Sequence, residues 1–298
     1  MFRTLISTAL ITFATALPSL ADVEIETARG PAMVPDNPQK IAVLDLAALD
    51  TLEALGIPVA GTVAKRFVGY LDDITAEPVG SIFEPDLEAL NALAPDLIIV
   101  GSRSAELVDD LAQFAPTIDM TIWGDNLVAQ SLARVAAYGT IFAKNAEAQA
   151  LTASFNATLE AAKAATADKG TALIVMTNGP KISAYGKGSR FGWLHNELGL
   201  AEAVAGVDDS THGEAISFEF IREADPDWLI VIDRVAAIGA EGENAKQTLD
   251  NELVTDTKAW KSGQVVFLDS APIYITGGGY QSMMMTMKQI TTAFGGGT

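Results

Sequence analysis

One stretch of this chain occurs twice. Asp86-Leu87-Glu88, Pro95-Asp96-Leu97-Ile98-Ile99-Val100 and Arg103 in the first half are matched by Ser217-Phe218-Glu219, Pro226-Asp227-Trp228-Leu229-Ile230-Val231 and Arg234 in the second. Every paired position lies 131 residues from its partner, Glu88 from Glu219 and Arg103 from Arg234 alike. Each copy opens on a helix N-cap residue, carries Glu two places later, turns at Pro-Asp into a buried strand and ends on Arg. A stacked repeat would recur at roughly 20–50 residues. The wider spacing predicts two similar lobes instead. Two lobes that each bring an Arg to the same end of a strand predict one anion held between them.

Strands and helices alternate around both copies. The first half reads as strands over 40–44, 59–63, 97–100 and 117–122, with helices over 45–56, 86–94 and 104–114. The opening stretch, with Gly30-Pro31, Pro35 and Pro38, reads as polar and Pro-punctuated. From 126 to 168 nearly every residue is a good helix former, and Gly139 is the only glycine. Asn145 reads as a fresh N-cap there, which leaves one helix of ~33 Å at 1.5 Å per residue. The second half restarts with a strand over 171–176, a turn-rich run over 178–190, a helix over 192–198, the second repeat copy, a strand over 264–268 and a closing helix after Gly277-Gly278-Gly279. This is an α/β chain of two lobes. The predicted boundaries are a first lobe over 22–145, a connecting helix over 146–168 and a second lobe over 169–298. With no Gly/Ser/Pro-rich linker between the lobes, the long helix is expected to couple them stiffly, with the ligand cleft between them.

Residues 1–21 carry one positive charge at Arg3, an apolar run, Pro18 and small residues at Ser19 and Ala21. This is the grammar of a cleavable secretory signal, cut after Ala21. A membrane anchor would need ~20 unbroken apolar residues, and Thr and Ser interrupt this run. The chain has no cysteine, so it folds without disulfides and lacks the N-terminal Cys that would carry a lipid anchor. A free, monomeric periplasmic protein is expected. The net charge of −19 argues against nucleic acid and anionic membrane surfaces as partners. Any positive cleft has to be built locally.

Ligands of α/β units sit outside the carboxyl ends of the strands, where Arg103 and Arg234 are expected. A lone Arg there is ordinarily half of a surface ion pair worth ~0–1 kcal/mol. The matched offset favours a shared task, and guanidinium forks suit oxygen anions. Arg190 lies in Gly186-Lys187-Gly188-Ser189-Arg190-Phe191-Gly192, where glycines permit close backbone approach ahead of a helix start. That run lacks the Gly-Lys-Ser/Thr ending of a P-loop.

Of the two histidines, His195 falls inside a helix and reads as a packed residue. His212 falls in a loop on the cleft side, either simply exposed or a metal ligand. Tyr274 is the best second ligand, since a phenolate oxygen is hard and anionic and suits ferric iron. Its alternative role is a rim aromatic stacked on the ligand. Glu88 and Glu219 each lie in a first helical turn, where the macrodipole stabilises a carboxylate by ~0.3–1 kcal/mol. They also form a symmetric pair of acidic knobs that a two-fold membrane partner with Arg at each docking point would read. No Gly-x-Ser-x-Gly elbow, His-Glu-x-x-His motif or Cys nucleophile supports catalysis, so no enzyme is expected. Nor is there the long His-rich loop of a dedicated zinc or manganese carrier.

The run Leu44-Asp-Leu-Ala-Ala-Leu-Asp-Thr-Leu-Glu-Ala-Leu-Gly56 resembles the ferric-siderophore-binding proteins of ABC importers, as do Thr177-Asn-Gly-Pro-Lys-Ile-Ser-Ala-Tyr-Gly186, Ser189-Arg-Phe-Gly192, Thr211-His-Gly213 and Val231-Ile-Asp-Arg234. The similarity is to the branch that takes catecholate siderophores and runs over nearly the whole chain past residue 21. It implies two Rossmann-like lobes joined by a long helix, with the ligand in the cleft. It implies Arg103, Arg190 and Arg234 as cleft arginines, and His212 and Tyr274 as iron-contacting side chains where a siderophore leaves sites open. It implies Glu88 and Glu219 as docking acids for a dimeric inner-membrane ABC permease. Iron is then cargo inside the siderophore complex, and no intrinsic cofactor is expected. The spacing from Tyr274 to the following glycines is one residue shorter than the family pattern, so Tyr280 stands beside Tyr274 as a candidate. Receptors for haem, a cobalamin or a hydroxamate siderophore, and an enzyme acting on metal chelates, are the alternatives.

Overall fold

The computed structural model describes residues 22–124, 126–207 and 212–296. The signal-like segment over 1–21 lies outside the described residues, as does Thr211 of the Thr-His-Gly motif.

The polar, Pro-punctuated entry is an antiparallel hairpin, β1 (Asp22–Thr27) and β2 (Gly30–Pro35). A two-stranded ribbon tolerates Pro31 and Pro35 because neither has an interior strand on its far side. Its tip is tied to the body by the buried Arg134, whose guanidinium donates to the carbonyls of Glu26 (2.9 Å), Met120 (3.3 Å) and Thr121 (3.2 Å).

The first lobe is a five-stranded parallel sheet in the order β5-β4-β3-β6-β7, from β3 (Ile41–Val43), β4 (Gly61–Thr62), β5 (Glu77–Pro78), β6 (Leu97–Val100) and β7 (Thr117–Asp119). Helices α1 (Leu46–Ala54), α2 (Leu87–Leu93) and the short α3 (Val108–Leu111) supply the crossovers. α4 (Leu127–Ile141) and α5 (Asn145–Thr166) then carry the chain to the second sheet. α5 begins one residue earlier than expected. Lys144 occupies the N-cap and Asn145 is already helical; Gly139 lets α4 close on α5 so tightly that a Cβ there would stand 2.6 Å from the Ala148 methyl. At 22 residues, α5 spans ~33 Å.

The second lobe holds β8 (Thr171–Asn178), β9 (Lys181–Tyr185), β10 (Ala201–Glu202), β11 (Glu214–Ile216), β12 (Trp228–Asp233) and β13 (Val265–Phe267). Its order is β11-β9-β8-β12-β13, with β10 beside the start of β8. β8, β12 and β13 run parallel, while β9 and β11 add an antiparallel flank. The run read as turn-rich is therefore a hairpin whose tight turn is Gly179-Pro180. Its helices are α6 (Trp193–Asn196), α7 (Phe218–Ala224), α8 (Arg234–Ile238), α9 (Ala245–Leu249), α10 (Glu252–Thr255), α11 (Lys258–Lys261), α12 (Ser270–Tyr274) and α13 (Tyr280–Gly295).

Strand alternation divides the core. Leu173, Val175, Leu229 and Val231 face one apolar layer with Ala245, Leu249 and Ala259. Ile174, Met176, Ile230 and Ile232 face the other, which is continuous with the first lobe through Phe155 and α13. Trp228 stacks on Phe294 at 3.7 Å between ring centroids. The closing helix thus returns to the first lobe. There the buried Asp50 of α1 receives the Gln281 (2.6 Å) and Ser282 (3.0 Å) amides at its N-terminus.

The two repeat copies fold alike. α2 and α7 each have seven residues, capped by Asp86 (2.9 Å to the Ala89 amide) and Ser217 (3.4 Å to the Phe220 amide). Both end in a left-handed residue, Ala94 at φ 46° and Asp225 at φ 37°. The Pro-Asp carboxylates then do one job twice: Asp96 accepts the Gln39 and Lys40 amides (2.8 and 2.9 Å), and Asp227 accepts the Thr171 amide (2.8 Å). Each fastens the start of the strand beside its own.

Candidate functional site

Arg103 follows β6 in a 3-10 turn over Ser102–Leu107. The buried Ser104 holds that turn to the end of β3, its hydroxyl 3.3 Å from the Leu44 carbonyl, and the Ser102 amide donates to Thr121 Oγ1 (2.7 Å). Arg234 opens α8 directly after β12, where Asp233 caps the helix through the Ala236 amide (3.0 Å). Arg190 sits in the turn before α6. Gly192 closes that turn against the Lys187 carbonyl, with no room for a Cβ, and Ser189 Oγ donates to the Gly186 carbonyl (2.6 Å). All three positions are fixed by short local bonds before any ligand arrives.

The three guanidiniums meet at Tyr274, the last residue of α12. Arg190 Nη2 donates to its carbonyl over 2.9 Å and Arg103 Nη2 to the same oxygen over 3.2 Å. Arg234 donates its Nε–H to the phenolic oxygen over 3.0 Å and Nη1 to Asn178 Oδ1 over 3.2 Å. The three guanidinium carbons lie 5.7, 4.7 and 5.9 Å from the Tyr274 ring centroid, in the order Arg103, Arg190, Arg234. Neutral carbonyl, amide and phenol oxygens are their hydrogen-bond partners. Among the described residues none of the three has a carboxylate within ion-pair distance. Burial and the like charge of Arg103 hold the Arg190 guanidinium below its ordinary range. Half-buried positive charge hydrogen-bonded to neutral oxygens is what an oxygen anion would neutralise.

Hollows open on both sides of the Arg190–Tyr274 contact. On the second lobe, one of about 310 Å³ is lined by Asn178, Lys181, Ser183, His212, Arg234 and Tyr274, among others. The other, of about 30 Å³, lies between the lobes, walled by Asp45, Arg103 and Trp123 from the first and by Arg190 and Trp193 from the second. Asp45, which caps α1, is buried, and that burial raises its carboxyl above the usual range despite nearby Arg103.

His212 is exposed on the rim of the larger hollow, and its carbonyl accepts the Tyr185 hydroxyl (2.9 Å). Tyr274 lines that same hollow. Tyr280, by contrast, is buried at the start of α13, with its ring 6.2 Å from Phe155 and its amide donating to Thr51 Oγ1 (3.2 Å). His195 is buried, with Nδ1 2.9 Å from the Leu200 carbonyl, and burial lowers its pKa. Among the described residues no group of three or more His, Cys, Asp or Glu side chains could hold a metal ion. Glu88 and Glu219 are both exposed, each second in its helix, and the Glu219 carboxyl is held low by its own amide and the Ser217 hydroxyl.

Several cleft residues escape the sequence reasoning. Lys181, Ser183 and Tyr185 alternate with the buried Ile182 and Ala184 along β9, so a two-residue period was the available signal. Trp123 and Asn178 carry no comparable mark.

The family model described as periplasmic binding protein matches residues 41–272. The petrobactin-binding protein YclQ of Bacillus subtilis is 37% identical over 264 residues, covering 86% of this chain and 83% of that protein. Its crystal structure superposes with a TM-score of 0.85 at 33% identity, over 92% of this chain and 98% of that one. The ferric-anguibactin-binding protein FatB of Vibrio anguillarum is 32% identical over 281 residues, covering 91% and 87%. The catecholate-siderophore-binding protein VctP of Vibrio cholerae superposes with a TM-score of 0.81 at 28% identity, over 90% and 99%.

Proposed function

Since the chain belongs to the periplasmic binding protein family, we propose that it captures an anionic ferric siderophore of the catecholate class outside the cytoplasm and delivers it to an ABC permease for iron uptake. One observation carries this reading: Arg103, Arg190 and Arg234, drawn from both lobes, surround Tyr274, and among the described residues none of them has a carboxylate within ion-pair distance. Catecholate oxygens on ferric iron are negative, closely spaced and turned outward, so they match several guanidinium forks at once. YclQ, FatB and VctP, named for siderophores or their ferric complexes, point the same way.

The siderophore supplies most of the iron donors. Where it supplies only four, His212 and Tyr274 complete the octahedron from the rim of one hollow. The cargo is released intact, so the chain binds without catalysing. Glu88 and Glu219 dock the two lobes on the two halves of a permease dimer, and a monomer suffices for that. The segment over 1–21 directs export to the periplasm and is removed after Ala21, leaving two lobes joined stiffly by α5 (Asn145–Thr166). N-terminal sequencing of the exported protein checks the cleavage. Fluorescence quenching by ferric bis- and tris-catecholates tests the receptor itself. Submicromolar binding that weakens in His212→Ala for the bis-complex supports it; micromolar or weaker binding of every complex, indifferent to His212, contradicts it.

A further inference from the structure

We propose that Trp123 makes this cleft select aryl-oxygen chelates over aliphatic ones of similar charge. The inference rests on the receptor reading above and adds to it a residue that sets the substrate class.

Trp123 lies in the loop after β7, on the first lobe, with 43% of its surface exposed. Of the large apolar side chains that the described residues leave exposed, Met33, Phe83, Leu87, Trp123 and Phe267, it alone lines a cleft hollow. An uncovered indole at the mouth of a ligand cleft is apolar surface that a ligand can bury.

Its backbone is fixed while its ring is open. The Trp123 amide donates to Gln130 Oε1 (3.1 Å), and its carbonyl accepts from Gln130 Nε2 (2.6 Å), with Gln130 in α4. The ring faces Arg190 of the opposite lobe, 5.8 Å from the guanidinium carbon to the ring centroid. Arg103 and the buried Trp193 wall the same hollow. A flat ring with negative oxygens along one edge matches these groups once the hollow, about 30 Å³ as it stands, widens: its face covers the indole and its edge meets the two guanidiniums. A citrate or hydroxamate chelate satisfies the guanidiniums and leaves the indole wet. Stacking between aromatic faces adds up to about ten-fold in affinity beyond area burial.

The test is calorimetric titration of wild type, Trp123→Leu and Trp123→Phe with ferric 2,3-dihydroxybenzoate and with ferric citrate. The expected result is an affinity for the dihydroxybenzoate complex about ten-fold weaker in Trp123→Leu and largely recovered in Trp123→Phe, with citrate affinity moving less than about two-fold. Unchanged dihydroxybenzoate affinity in Trp123→Leu overturns the inference, as does an equal loss for both complexes. Each of those outcomes leaves the receptor reading standing. Wild-type protein that binds neither complex overturns the receptor reading, and this one with it.

Discussion

Arg234 donates its Nε–H to the phenolic oxygen of Tyr274 over 3.0 Å, while Arg103 and Arg190 take the backbone carbonyl of the same residue. That bond holds the phenolic oxygen at the wall of the hollow that His212 also lines. One residue therefore gathers all three positive charges, two through its carbonyl and one through its phenolic oxygen.

Tyr274→Phe removes that oxygen and leaves the ring and the carbonyl. Affinity for a four-donor ferric bis-catecholate should fall by about ten-fold or more, the worth of a charge-assisted bond. A six-donor tris-catecholate should be affected far less. Visible absorption of the bound bis-complex should also lose the contribution of phenolate-to-iron charge transfer. Equal losses for both complexes, with identical spectra, would remove Tyr274 from the coordination sphere.

Asp50 predicts a pH effect on stability. Burial pushes its carboxyl up to about 7, although Tyr70 and the Gln281 and Ser282 amides donate to it. In the unfolded chain it would titrate near 3.8. Between those values the native state holds the proton more tightly, so this group's contribution to stability declines as pH rises from about 4 to about 7. The full decline is on the order of 4 kcal/mol at ~1.4 kcal/mol per unit. Urea unfolding of wild type and Asp50→Asn at both ends of that window measures it. Wild type should lose ground to the variant as pH rises; parallel pH profiles would contradict the assignment.

The two-lobe plan was legible because the repeat copies conserve local chemistry: a side-chain cap at Asp86 and Ser217, a Pro-Asp turn, and a strand buried on both faces. Those signals are short-range, and so is the helical composition of α5. The β1–β2 hairpin is not marked in the sequence because the groups that tether it, Arg134 and Asp119, lie about a hundred residues away. The return of α13 to the first lobe was invisible for the same reason, since Asp50 and Gln281 meet only in the fold. At the site, the arginines could be found by their offset and their glycine setting. That Arg103 and Arg190 share one backbone carbonyl as acceptor could not, because any residue carries one. Trp123 escaped because a loop indole has no periodicity to betray its exposure.

Glu88 and Glu219 should separate delivery from capture. Glu88→Ala and Glu219→Ala, singly and together, leave ligand affinity within about two-fold, as expected for exposed side chains away from the cleft. Iron uptake by cells carrying the double variant should fall sharply, and each single variant should fall less. Full uptake by the double variant would show that these carboxylates owe their place to helix capping alone.

The central claim is that guanidiniums from both lobes bind one anion, and calorimetric titration with a ferric tris-catecholate addresses it most directly. Wild type, the three single variants Arg103→Gln, Arg190→Gln and Arg234→Gln, and the triple variant are compared at one salt concentration. The account predicts losses of about ten- to hundred-fold for each single change, at 1.5–3 kcal/mol per charge-assisted bond, and no measurable binding by the triple variant. Binding by the triple variant within a few-fold of wild type would contradict it.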